Sequence, residues 1–135
     1  MNILNDTGFN RLRSAIDASN TRQQVVSNNI ANADTPYFKR SEVSFESLLQ
    51  SEMNGVSSIK GRMASSRHIA IGSSGSIPTA RITSDNSTAM NNNKNNVDID
   101  SEMTSLAENQ LRYNTYIEEV NHQIKMMRTA LGGNG

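Results

Sequence analysis

The chain has 135 residues, enough for one domain, yet only 35% of them are hydrophobic, 4% are aromatic and none is Trp. That is little apolar material for a compact globule of this size, so much of the buried surface is expected to come from partner chains. Thirteen basic and thirteen acidic residues cancel, which excludes a global pull toward nucleic acid or an anionic membrane, and the absence of cysteine excludes a disulfide framework and thiol chemistry.

The N-terminal segment carries a stripe. Phe9, Leu12, Ile16, Ser19, Gln23, Val26 and Ile30 follow one another at steps of three and four, with polar residues at its centre. The spacing predicts a helix over 8–32, roughly 36 Å long, capped by Asp6 or Thr7. Asn32-Ala33-Asp34-Thr35-Pro36 ends it, because Pro36 disfavours helical backbone at Thr35. No charged-then-apolar leader and no run of about 18 apolar residues is present, so neither a cleaved signal peptide nor a transmembrane helix is expected.

Tyr37 to Arg40 reads as an extended segment leaving the turn, and Phe45, Leu48, Leu49 and Met53 as a short amphipathic helix. Ser, Gly and Asn dominate residues 54–96. His68–Ile71 and Ala80–Thr83 are candidate strands, and residues 84–96 read as a polar flexible linker. Residues 59–96 hold five bases against one acid, and residues 97–135 hold six acids against three bases. The two regions are complementary in charge.

The C-terminal segment carries the stronger stripe. Ile99, Met103, Leu106, Gln110, Tyr113, Ile117, Val120, Ile124, Met127 and Leu131 keep a 3.5-residue period, with Gln110 the one polar member. The pattern predicts a helix over 101–131, capped by Asp98 or Asp100 and ended by Gly132-Gly133, with early acids and late bases suited to its dipole. The expected fold is mainly α. Long N- and C-terminal helices pair antiparallel in a coiled-coil-like bundle around a loop-rich middle that holds short strands. Residues 1–36, 37–96 and 97–135 form its three regions. A two-helix pair leaves each stripe partly exposed, so packing against further subunits is expected to complete the burial.

Reactive constellations are absent from the sequence. Val97-Asp98-Ile99-Asp100-Ser101-Glu102 lacks the glycine and the closing glutamate of a calcium loop, and helix capping explains its acids better. His68 and His122 have no ligand-spaced partner. No phosphate loop, nucleophile elbow or basic-aromatic interleaving occurs. Neither an enzyme, nor a cofactor, nor a metal site, nor a nucleic-acid partner is expected.

The most distinctive text is Ser27 to Arg40, SNNIANADTPYFKR. Asn side chains there can satisfy the last helical carbonyls, and the amides of Asn28, Asn29 and Asn32 are placed to bridge to a neighbouring chain. The phrase resembles the signature S-N-N-[IL]-A-N-x-x-T-P-[GY]-[YF]-K-R of the bacterial flagellar axial proteins of rod and hook. Its A-D-T-P variant is most similar to the proximal part of the rod. Asn96 to Met103 and Ala107 to Tyr113 resemble that family's N-x-V-D-x-D-x-E-M…A-x-N-x-L-x-Y segment. Tyr37 departs from the glycine of many relatives.

The resemblance implies a non-enzymatic subunit of the flagellar basal body in the cell envelope. Its partners would be further copies of itself, other rod proteins, and the rod-ring junction protein with its membrane ring. Delivery would be unfolded, by the flagellar type III export apparatus. On this reading the assembly interface is Phe9, Leu12, Ile16, Val26, Asn28, Asn29, Ile30, Asn32 and Pro36 with Met103, Leu106, Tyr113, Ile117, Val120, Ile124, Met127 and Leu131, and the termini are largely disordered before assembly. The alternatives are another rod protein of the axial family, or a cytoplasmic coiled-coil adaptor or export chaperone.

Overall fold

Pro36 and Asp98 limit two long helices. In the computed structural model, which describes residues 7–55, 77–86 and 94–132, helix α1 spans Thr7–Ala31 and helix α3 spans Ile99–Ala130. Between them lie strand β1 (Ser41–Ser44), helix α2 (Glu46–Gly55) and strand β2 (Arg81–Ser84). The Asp98 side chain caps α3 by accepting from the backbone N–H groups of Asp100 and Ser101. Its far end closes at Gly132, whose φ of 80° suits a residue without a Cβ. Asp6, Gly133 and the candidate strand His68–Ile71 lie outside the described residues.

The two helices run antiparallel: Asn29 of α1 meets Glu102 of α3, and Ser19 meets Asn109. This is the expected pairing in a mainly α fold. β1 and β2 form an antiparallel ladder with Val43 opposite Ile82, and the Asp85 N–H donates to the Arg40 carbonyl at 2.8 Å just beyond it. The expected short helix is α2. Phe45 stands immediately before it and is only 2% exposed, set between Ala15 and Ala18 with Leu49, Ala80 and Tyr116 around it. Small residues on α1 let the aromatic ring approach the helix closely.

Three expectations change. The expected seams are rotated. Glu102 and Asn109 are the buried residues of α3, whereas Ile99, Met103, Ile124 and Leu131 are exposed and Leu106, Tyr113, Ile117, Val120 and Met127 are half-buried. On α1 the buried face is Ala15, Ala18, Ser19, Val26 and Asn29, and Phe9, Leu12, Ile16 and Ile30 are half-buried. Close pairing favours small side chains and mutually satisfied polar groups in the seam, which displaces the bulky apolar stripes to its flank.

Secondly, Asn95 and Asn96 are not linker. They are 0% and 5% exposed. Thirdly, Tyr37 is not extended: its φ is 62°, inside a turn, and the strand begins only at Ser41. The polar turn after α1 reverses the chain, and a residue there must take the left-handed conformation.

Candidate functional site

The signature turn and the entry to α3 form one buried polar joint. α1 ends in overlapping turns: the Asn32 N–H donates to the carbonyls of Asn28 and Asn29, and the Thr35 N–H to that of Asn32. Such a turn leaves carbonyls pointing inward. The Asn95 side-chain amide meets three of them, donating to Asn32, Ala33 and Thr35 at 2.9 Å each, while its own oxygen accepts the Val97 N–H at 2.7 Å. Asn96 does the neighbouring task. Its oxygen accepts the Arg40 N–H at 2.7 Å and its amide donates to the Asp85 carbonyl at 2.9 Å, tying the joint to the β-ladder.

Glu102, fully buried, is the charged centre. It accepts from the Asn29 amide at 3.0 Å and from Arg40 Nε. Asn29 also exchanges a pair of hydrogen bonds with the Ser41 backbone, donating at 2.7 Å and accepting at 3.0 Å. Burial alone would lower the pKa of Arg40, but the hydrogen bond and charge of Glu102, supported by those of Glu42, raise it above its ordinary value. Arg40 is held as the ion-pair partner of Glu102, the one buried carboxylate among the described residues.

A second cluster lies midway along the pair. Asn109 donates to the Ser19 carbonyl at 2.9 Å and to the Gln23 side chain at 3.4 Å. Arg22 reaches across to Asn109, to the Val43 carbonyl and to Glu46, and Arg112 of α3 bonds Glu46 at 2.9 Å. Burial would raise the pKa of Glu46, but the hydrogen bond of Arg22, its own backbone hydrogen bond and the charges of Arg22 and Arg112 lower it overall.

Of the residues expected at an assembly interface, Asn29 and Asn32 are engaged inside the chain. Asn29 is wholly buried, which corrects the expectation that its amide bridges to a neighbour; Asn32 donates to the Asn28 carbonyl and accepts from Thr35. Asn28 and Pro36 are exposed. The sequence reading missed Asn95, Glu102, Arg40 and Asn109 as determinants. Glu102, Asn109 and Tyr116 recur every seven residues, as do Ala15, Arg22 and Asn29, and that period was a usable signal.

Residues 9–39, which carry α1 and the turn that closes it, match the family model described as flagella basal body rod protein. Relatives resemble the chain over nearly its whole length. The flagellar basal body rod protein FlgB of Bacillus subtilis is 37% identical over 122 residues, which cover 90% of this chain and 91% of that protein. The FlgB of Borreliella burgdorferi is 38% identical, covering 86% and 89%. That of Escherichia coli is 31% identical, covering 96% of each. The chain belongs to the FlgB family of flagellar basal body rod proteins.

Proposed function

We propose that this chain is a structural subunit of the proximal rod of the flagellar basal body and passes torque from the membrane ring to the distal rod and hook. The observation that carries the reading is the polar joint, which fixes the two signature segments against each other and leaves much of the apolar stripes uncovered. Phe9, Leu12, Ile16 and Ile30, with Met103, Ile117, Ile124 and Leu131, then meet other subunits. Val26 is buried within the chain, and the half-buried Leu106, Tyr113, Val120 and Met127 are shared between the chain's own pairing and its neighbours. Torque is shared among many helix contacts, and heterologous contacts that do not close extend the assembly as a helical tube. The neighbours in this reading are further copies, other rod proteins and the rod-ring junction protein. Delivery is by the flagellar type III apparatus, and the site of action is the cell envelope. Among the described residues no helix is long and apolar enough to cross a membrane.

The test is the protein content of isolated basal bodies, with and without a working export apparatus. The expected outcome is the chain in the rod when export works and in the cytoplasm when it does not. A stable soluble oligomer, absent from basal bodies in both strains, would refute the proposal.

A further inference from the structure

Strands β1 and β2 share one edge, and each has an outer edge as well. In an antiparallel ladder the opposed pairs alternate: one pair bonds inward, and the next turns its N–H and C=O groups outward. The Asp85 N–H donates to the Arg40 carbonyl at 2.8 Å, which sets the phase. Glu42–Thr83 and Ser44–Arg81 then bond inward, and Ser41–Ser84 and Val43–Ile82 turn outward. On β1 the outward groups are met within the chain. Asn29 bonds the Ser41 N–H and carbonyl, and Arg22 donates to the Val43 carbonyl. On β2, no group among the described residues meets the N–H or carbonyl of Ile82 or Ser84. Both residues are exposed, Ile82 by 55%.

One outer edge is therefore capped and the other is open, a template for one more strand. The open edge also carries a charge. Arg81 is exposed and has no ion pair among the described residues. It lies on the opposite face of β2 from Ile82, whose cross-strand neighbour is Val43. An added strand therefore sets one side chain beside Ile82 and the next beside Arg81. The stretches that flank β2 in sequence bring no acid to this place: residues 56–76 and 87–93 include Lys60, Arg62 and Arg67 but neither Asp nor Glu. A second copy has the same acid-free stretches, and its β1 is capped by the same Asn29 and Arg22. Among the described strands it offers only its own β2, and like edge on like edge is a two-fold contact that closes after two chains.

We propose that the open edge of β2 receives an extended segment from a rod subunit of different sequence, with an apolar residue beside Ile82 and an adjoining acid beside Arg81. The N–H and carbonyl groups of Ile82 and Ser84 bond its backbone and supply affinity, and the acid selects the segment. Asn96 ties this ladder to the polar joint by bonding both Arg40 and Asp85, so the docked strand is coupled to the entry of α3. The inference rests on the rod-subunit reading above.

Ser84 turns its N–H outward, so Ser84→Pro removes a bond to the added strand and none to β1. Tagged variants are expressed beside the untagged protein, and their ratio is measured in isolated basal bodies. Ser84→Pro and Arg81→Glu are each expected to be depleted about tenfold, and Arg81→Lys less than about twofold. Far-UV circular dichroism of the purified variants is expected to match wild type. In the purified wild-type chain the amides of Ile82 and Ser84 are expected to exchange hydrogen at least about tenfold faster than those of Thr83 and Asp85, which bond inward. Equal protection of all four would show that the chain covers its own edge and would overturn the proposal. Ser84→Pro incorporated at parity with wild type would overturn the added strand while leaving rod membership intact. Arg81→Glu at parity beside a depleted Ser84→Pro would overturn the acid. A photocrosslinking amino acid in place of Ile82 is expected to join the chain to a different rod protein in basal bodies, and an adduct with a second copy would overturn the assigned partner. Absence of even the wild-type protein from basal bodies would overturn the rod reading, and this proposal with it.

Discussion

Asn95 has two amide hydrogens and faces three carbonyls at hydrogen-bond distance, so at least one hydrogen is shared. This makes the identity of the side chain testable beyond its size. Asn95→Ala is expected to destabilise the folded chain by about 1–3 kcal/mol, because the carbonyls lose their donor inside a buried site. Asn95→Asp, nearly the same shape, is expected to cost more, since a carboxylate there turns oxygen toward oxygen. The urea midpoints of the three proteins check both; an Asp variant as stable as wild type would show that the amide hydrogens contribute nothing. Tyr37 offers the opposite sign. Its left-handed backbone costs a non-glycine residue about 1–2 kcal/mol, partly offset by Lys94, whose Nζ lies 5.5 Å from the ring centroid. Tyr37→Gly is expected to be neutral or stabilising by up to about 1 kcal/mol and Tyr37→Val destabilising by about 1–2 kcal/mol, read in the same way.

At the scale of elements, Glu46 fastens α2 to both long helices through Arg22 and Arg112. Its folded-state pKa lies below the unfolded value. Its contribution is therefore complete above the unfolded value and is lost as the pH falls through the folded one. Glu46 is partly exposed, so Glu46→Gln is expected to lower stability at neutral pH by only about 0.5–1 kcal/mol. Melting temperatures of the two proteins should converge as the pH drops below the carboxylate range. A gap that persists in acid would assign the effect to packing instead.

The limits of α1 and α3 were legible because Pro36, Asp98 and Gly132 act locally, through backbone geometry and capping. Which stripe faces the chain's own partner was not, because a 3.5-residue period says which residues align and not which neighbour they meet. Glu102 and Asn109 are polar, so a hydropathy reading sends them to solvent; only the groups on the facing helix make their burial tolerable. Asn95 and Asn96 sit at the end of an Asn-rich run whose composition alone reads as linker, and their roles depend on backbone groups some sixty positions away, the carbonyl of Asn32 for Asn95 and the N–H of Arg40 for Asn96.

For the molecule as a whole, the apolar core is slight. Among the described residues the buried hydrophobic side chains are Ala15, Ala18, Val26, Ala33, Phe45 and Val97, and four of those six are alanine or valine in the long helix pair and its turn. The rest of the stabilisation must come from hydrogen bonds and partly covered stripes, each modest in net effect. The purified chain is therefore expected to be marginal, with an unfolding free energy under about 5 kcal/mol, and to gain helix on joining the rod. Thermal melting followed by circular dichroism checks this, and a lone chain that melts above about 65 °C would contradict it.

The bond from Asn95 to the Asn32 carbonyl joins positions 63 apart in sequence. A closure of that span is entropically forgiving: doubling its length adds only about 0.6 kcal/mol, since the penalty grows with the logarithm of loop size. The stretch between α2 and β2 is thus free to lengthen, shorten or change its text with little effect on whether the ends meet. What selection must hold fixed is the handful of amides and charges that recognise one another across the gap. That freedom lets a rod protein remodel its middle while its two ends keep a common fitting.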